Sequence, residues 1–276
     1  MPVCQSPFRS VGMLSISGFA NLKNAIIGTG IGIIAKDVLE ADVVVNLAKL
    51  KTHAQMLLTL GVKNMFGCVV GLRKPEWHLR AGTDRHMFAR LLVQIYKAVS
   101  PAMTIIDGIL ALEGQGPGKS GTPRDLNLLA GSQNAIAADM AISSVLGLDP
   151  QDLLTHKAAG QLQLVPEDIH VHGEFNILND FNFPEMGAMT IGPEFLHGVM
   201  RKYVLQKPAS DNRKCKLCGE CWRYCPVKAI DHHVKGIKYN YDTCIRCYCC
   251  LEICPHGAIT IKKPLIGRLI RTQTSK

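Results

Sequence analysis

The chain has 276 residues, 47% of them apolar, with a mean hydropathy of +0.12. That suffices for one substantial core and a smaller satellite unit. The longest apolar stretch, Ala25 to Ala35, is glycine-rich and too short to span a bilayer, and no secretory pattern opens the chain, so a cytoplasmic protein without a membrane span is expected.

The net charge of +9 is unevenly placed. Residues 1–204 balance 17 basic against 17 acidic side chains, and the excess, 14 against 5, lies in residues 205–276. Aromatic residues of the kind that interleave with bases are sparse, which argues against nucleic acid. The basic tail, residues 263–276, is either a solvated end or a place where an acidic redox partner docks.

In chain order, Gly28-Thr29-Gly30-Ile31-Gly32 fails the dinucleotide fingerprint, because Ile33 follows and no strand feeds it. Asp42 to Leu47 and Met103 to Ile109 read as buried parallel strands, and Arg85 to Val99 between them has apolar residues at helical spacing. The segment Glu113 to Ser120 imitates a phosphate loop, but Glu113 stands at its first glycine position and Gly121-Thr122-Pro123 follows where a helix should begin. Leu126 to Ala130 reads as a strand and Gln133 to Leu146 as a helix, with Ser132 as N-cap and Gly147 as its stop. Residues 180–204 are irregular. The alternation predicts an α/β fold, a layered, mostly parallel sheet with helices, over residues 1–204.

Lys49-Leu50-Lys51-Thr52-His53 lies just past the strand expected to end near Leu47, and Gly61-Val62-Lys63-Asn64-Met65-Phe66-Gly67 follows. Ligands of open α/β sheets sit beyond the carboxyl ends of strands. Lys51, His53, Lys63 and Asn64 are therefore expected at a site mouth, with Asp107 and Glu113 sharing it. Two lysines, an imidazole and an amide suit a small anionic or carbonyl substrate, with His53 moving a proton near neutral pH. The same residues can equally be solvated loop and turn positions.

Cys215, Cys218, Cys221 and Cys225 precede Pro226 in a C-x2-C-x2-C-x3-C-P run, and Cys244, Cys247, Cys250 and Cys254 before Pro255 repeat it 29 residues later. This doubled run is the signature of two 4Fe-4S clusters. Zinc favours paired C-x2-C half-sites, and disulfides do not fit a cytoplasmic chain. The repeat extends to Ala229/Ala258 and Ile230/Ile259. The V-K-A-I and H-G-A-I stretches are expected as helical turns over each cube, followed by strands at Ile237 to Asn240 and Ile259 to Lys262. Cys249, aligned with Glu220, reads as a bystander, and no role is read for Cys4 or Cys68.

Residues 205–262 resemble the bacterial-type two-cluster ferredoxins, small α+β modules in which the fourth cysteine of each run crosses over. The resemblance implies Cys215, Cys218, Cys221 and Cys254 for cluster one, and Cys244, Cys247, Cys250 and Cys225 for cluster two. It also implies electron transfer with a redox partner protein such as a ferredoxin, flavodoxin or reductase. The K-L-K-T-H and G-V-K-N-M-F-G segments, D-G-I with the E-G-Q-G-P loop, and A-A-D-M together resemble the domain of unknown function 362 family, from about residue 10 to residue 175. That resemblance implies an anaerobe-type iron–sulfur protein without a settled reaction. Members usually carry a further N-terminal segment, so the first part of the domain is expected to be missing. A distant likeness to the nickel-pincer lactate racemases rests on the ten-residue separation of His53 and Lys63, with His78 or His86 as a later histidine. The expected function is that of a redox enzyme acting on a small substrate; the alternative is an electron carrier whose larger domain binds a partner.

Overall fold

A computed structural model describes residues 34–69, 77, 78, 81, 84–173, 175–186, 203–262 and 264, with the backbone of 14–15 and 31–32. The glycine stretch at 28–32 lies outside these residues apart from the backbone of its last two, and Cys4 and the tail from 265 onward lie outside them as well. Strands β1 (Leu14–Ser15) and β2 (Ile31–Gly32) form an antiparallel pair, and α1 spans Lys36–Leu39.

The central sheet has four strands in the order β4-β3-β5-β6: β3 Val45–His53, β4 Leu57–Thr59, β5 Met103–Gly114 and β6 Gly121–Ser132. Only β3 and β5 run parallel, and both outer pairings are antiparallel. The sheet is thus mixed rather than mostly parallel, and connection length is the reason. Three residues join β3 to β4 and six join β5 to β6, which permits only hairpins, whereas β3 reaches β5 through a helix. The segment that imitates a phosphate loop is the turn of the second hairpin.

That crossover helix, α3 (Arg85–Val99), has the expected bounds. Asp84 caps it by accepting from the His86 and Met87 amides at 2.9 and 3.0 Å. Its face of Phe88, Leu91, Leu92 and Ile95 is buried in one core together with Val62, Phe66 and Trp77. Helix α2 is the short Gly61–Asn64, and α4 is Ala135–Val145. The α4 cap is Asn134, which accepts from the Ile136 and Ala137 amides, and not Ser132, whose hydroxyl accepts from the Asn134 amide one turn too early. Gly147 ends the helix with φ +73°. Ile142 and Leu146 of this helix segment pack on Ala48, Leu50 and Ile106 of the sheet. Helix α5 (Leu154–Gln161) packs on α3. On the opposite sheet face Val45, Leu47, Ile109 and Leu129 remain exposed.

The C-terminal module pairs β7 (Lys207–Ser210) with β10 (Ile259–Lys262), and β8 (Ile230–His233) with β9 (Gly236–Tyr239), both antiparallel. Its helices are α6 (Glu220–Arg223) and α7 (Cys249–Ile253), each containing the third cysteine of a run. The stretches after Pro226 and Pro255 are turns rather than helical turns. There the amides of Ala229 and Ala258 donate to the sulfurs of Cys225 and Cys254 at 3.2 and 3.3 Å, bonds that an α-helical amide could not make. The 29-residue repeat is written in the backbone too. Positive φ recurs at Leu217/Arg246 (+52° and +56°), Gly219/Tyr248 (+95° and +58°) and Lys228/Gly257 (+50° and +58°).

Candidate functional site

Strand β3 does not end near Leu47 but continues through His53, so the K-L-K-T-H segment is strand rather than loop. Its even residues Asn46, Ala48, Leu50 and Thr52 point into the core. Along its odd residues burial rises: Val45 and Leu47 are exposed, Lys49 and Lys51 half-buried, and His53 is 1% exposed. The C-terminal module covers that end of the strand.

Two contacts make the junction. His53 Nε2 lies 2.9 Å from Glu252 Oε1 on α7, and the Gln55 side-chain amide donates to the Arg246 carbonyl at 3.0 Å. The other ring nitrogen of His53, Nδ1, accepts from the backbone amides of Gln55 and Met56 at 3.1 and 3.2 Å. Two donors aimed at Nδ1 leave it unprotonated, so Nε2 carries the hydrogen and donates it to the Glu252 carboxylate. Burial first, then the charge of Lys63, pushes the His53 imidazolium below its ordinary pKa. The ring is a neutral strut. Burial opposes ionisation of Glu252, but the His53 contact and the charge of Lys63 prevail and hold its carboxyl well below the usual range.

His78 completes the buried group. It stacks on Phe88 with centroids 4.4 Å apart and meets Phe66 edge-on. Burial holds its pKa down, to about 4.

The structure therefore draws Lys51, His53 and Lys63 toward one place, each felt electrostatically at the His53 ring. It does not bring the other expected residues there. Asn64 donates to Asn46 Oδ1 at 2.8 Å and to the Leu47 carbonyl at 3.0 Å, tying α2 to β3. Asp107 is ion-paired with Lys49 at 2.7 Å on the open sheet face, and that bond lowers its pKa. Glu113 accepts from Arg124 at 2.9 Å and from the Asn182 amide at 3.1 Å, closing the hairpin. Glu252 and Gln55 are residues of the junction that sequence reasoning missed, whereas His78 entered it only as a later histidine of the racemase likeness. The available signal was Glu252 itself, which stands where the repeat has Arg223.

A second omission lies beneath. Asp139, the acid of the A-A-D-M motif, is 3% exposed and accepts from the Gly61 and Val62 amides at 2.7 and 3.1 Å. Burial raises its pKa to about 7 despite those two bonds. It anchors the turn that presents Lys63.

The hairpin turn is wedged between strand and module. Its Gly116 amide donates to Thr52 Oγ1 at 3.2 Å, and the Gly116 carbonyl accepts from the Ala54 amide at 3.3 Å. A Cβ at Gly116 would collide with the Thr52 carbonyl and sit 2.6 Å from its hydroxyl oxygen, and one at Gly118 would sit 2.9 Å from the Leu251 carbonyl of α7. Gly116→Ala should cost about 1–3 kcal/mol through this overpacking, read as a lower urea midpoint. An unchanged midpoint would show that the turn can move away from β3.

In the module, Cys225, Cys244, Cys247, Cys249 and Cys250 line one small space bounded by Ile230, Tyr239 and Tyr248. Burial raises the Cys250 thiol well above its ordinary pKa, the Tyr239 hydroxyl 3.6 Å away opposes this, and Cys247 and Cys244 add to the rise. Cys221 is raised to about 11 by burial and then by Cys215, Cys254 and Cys218. Cys225 thus lies with thiols of the second run, and Cys254 is felt at a thiol of the first. Among the described residues no three His, Cys, Asp or Glu side chains converge on a single ion. Thiols that burial disfavours as free thiolates at Cys221, Cys244 and Cys250, in runs that do not converge on a single ion, fit polynuclear iron–sulfur cubes that bring their own positive charge.

An α/β domain whose strand end is capped by such a module is an iron–sulfur protein. Residues 19–144 match the model for the domain of unknown function DUF362, and residues 207–255 match the 4Fe-4S dicluster domain. The chain carries a DUF362 domain in its N-terminal part and a ferredoxin-like 4Fe-4S electron-transfer domain after it.

It is 42% identical over 158 residues to the thylakoid-associated protein sll1697 of Synechocystis sp., a match covering 55% of this chain and 49% of that protein. The module alone is 39% identical over 49 residues to the delta subunit of the NADH-dependent phenylglyoxylate dehydrogenase of Aromatoleum evansii, covering 18% of this chain and 53% of the subunit. It is 42% identical over 55 residues to pyruvate synthase subunit PorD of Methanocaldococcus jannaschii, covering 20% of this chain and 64% of the subunit. The chain thus spans about half the length of its cyanobacterial relative. No helix among the described residues is long and apolar enough to cross a membrane.

Proposed function

We propose that this chain moves single electrons between two 4Fe-4S cubes and a small anionic or carbonyl substrate held beside the end of β3, with a separate protein as electron source or sink. The observation that carries this reading is the 2.9 Å contact between His53 and Glu252, which sets the cysteine-bearing helix α7 against the strand end where Lys51 and Lys63 project. Cys215, Cys218, Cys221 and Cys254 would hold one cube, and Cys225, Cys244, Cys247 and Cys250 the other. Bound there, the cubes supply reversible one-electron chemistry.

The chain's own residues do the rest. Lys51 and Lys63 provide positive charge for an anion or a polarised carbonyl oxygen. His53, neutral and engaged at both nitrogens, positions α7 rather than moving a proton. Phe66, Phe88 and His78 form a packed wall that excludes water on the α3 side. Such a protein works in the reducing cytoplasm.

A second reading is favoured by the oxidoreductase subunits whose modules this one is similar to. In it the chain is an electron-carrying accessory protein and the α/β domain binds a partner.

Electron paramagnetic resonance on anaerobically purified, dithionite-reduced protein tests the proposal. Two interacting spin systems are expected, and a panel of 2-oxo acids should contain a member that reoxidises them. Lys63→Ala should abolish that reoxidation while the reduced spectrum stays intact. Fewer than two reducible cubes sinks the cluster assignment, and a substrate response that survives Lys51→Ala and Lys63→Ala moves the substrate elsewhere.

A further inference from the structure

The two halves of the module are alike in ligand spacing and backbone, and unlike in charge and burial. Residues 211–228 hold five basic and two acidic side chains, a net +3; the equivalent residues 240–257 hold Arg246 against Asp242 and Glu252, a net −1. Each substitution across the repeat has a structural counterpart. Cys244, Cys247 and Cys250 are buried, whereas Cys218 is exposed. Arg246 is 5% exposed with its carbonyl bonded to Gln55, while its equivalent Leu217 is an exposed apolar residue flanked by exposed Lys216 and Cys218. Glu252, its side chain 33% exposed, reaches across to His53, while its equivalent Arg223, 65% exposed, stays within the module beside Glu220 at 3.5 Å. One half is spent on the α/β domain. The other is left open, positive, and centred on an apolar residue next to a cysteine of the first run.

We propose that the loop from Lys214 to Arg223 is the docking face for an acidic one-electron carrier protein. The proposal rests on the two-cube reading and adds the place and charge of the partner. An exposed leucine within a ring of like charge is the pattern of a transient redox interface, in which complementary charge sets orientation and encounter rate and a small apolar centre is buried. Among the described residues Lys214 and Lys216 form no ion pair, whereas Arg213 is held by Asp211. The lysines are therefore the charges available to an incoming carboxylate surface.

The test uses the intact holoprotein and a fluorescently labelled flavodoxin of net negative charge as probe. Binding is followed by anisotropy at several ionic strengths, alongside the rate of cube reduction by the reduced flavodoxin. Wild type should bind more weakly as salt rises. The double variant Lys214→Glu/Lys216→Glu should bind on the order of tenfold more weakly at low salt and lose most of the salt dependence. The control Lys97→Glu/Lys157→Glu, of equal charge change on α3 and α5, should stay within about twofold of wild type.

The proposal is overturned if the loop variant binds as wild type does, or if the control weakens binding equally, which would make the effect one of net charge. It is also overturned if the loop variant loses only retention on anionic phosphatidylglycerol vesicles, which would make the face a membrane contact. Iron content and reduced spectra of each preparation report the two-cube reading separately. A chain with fewer cubes that still binds flavodoxin through the loop would fail that reading and keep the docking face.

Discussion

Cys225→Ala is expected to erase the cube of the second cysteine run, not of the run in which Cys225 stands. Its sulfur lines the same space as Cys244, Cys247 and Cys250, while the surroundings of Cys221 are completed by Cys254. Iron content should fall from about eight to about four atoms per chain. The reduced spectrum of Cys225→Ala should superimpose on that of Cys247→Ala, and that of Cys254→Ala on that of Cys218→Ala. If Cys225→Ala instead matches Cys218→Ala, each run binds its own cube and the crossed assignment is wrong. The halves differ enough in exposure for the two residual signals to be told apart, because an exposed, positively flanked cube and a buried one relax and titrate differently.

The second large effect concerns the junction. Glu252→Ala leaves the buried His53 Nε2–H without an acceptor, a loss of about 1–3 kcal/mol. Glu252→Gln keeps an acceptor oxygen and should retain most of the stability, so the pair separates a hydrogen-bonded strut from mere packing.

Acid should act in the same direction. His53 and His78 are both held neutral by burial, with folded pKa values below the unfolded 6.5 and that of His78 near 4. Below pH 6.5 the unfolded chain therefore binds protons that the folded chain refuses. Stability is full above that pH and falls as the medium acidifies toward the folded values. Between pH 6.5 and 5.5 the His78 ring should cost about 1 kcal/mol, and the His53 ring adds to it in the same direction. His78→Phe, which suits the aromatic wall, should remove the His78 share of that slope. Asp139, raised to about 7, takes up a proton on folding over the same range and offsets part of this cost, so the test is the comparison with His78→Phe: equal pH slopes of the urea midpoint from pH 7.5 to 5.5 would show that His78 does not remain neutral on folding.

What could be read from the sequence divides along the range of the interaction. The cysteine runs were legible because their spacing is a local constraint of the ligand loop, and α3 because its periodicity and its end near Pro101 are local too. The sheet was misjudged where connection length mattered more than strand composition. Lys49 and Lys51 made the strand look finished at Leu47, yet Ala48, Leu50 and Thr52 alternate with them and carry it onward. Asn64, Asp107 and Glu113 carry chemistry that suits a site, but each is committed to a bond that holds the domain together. The partner of His53 lay 199 residues away, beyond any periodicity, and only the mismatch of Glu252 with Arg223 inside the repeat pointed to it.

That separation also has a bearing on how the molecule comes together. A contact across 199 residues of a 276-residue chain closes a long loop, and such loops form after local structure is already in place. The sheet and the cysteine module each fold from near neighbours. The bond between His53 and Glu252 is then the final latch, and it can shut only when α7 already has its shape. Cys250 lies within α7 and Cys254 directly follows it, so with iron held by them as proposed, its acquisition and closure of the latch would be parts of one maturation step. An iron-starved cell would accumulate chains whose strand end at His53 is finished but uncovered, a form that proteases can distinguish from the mature one.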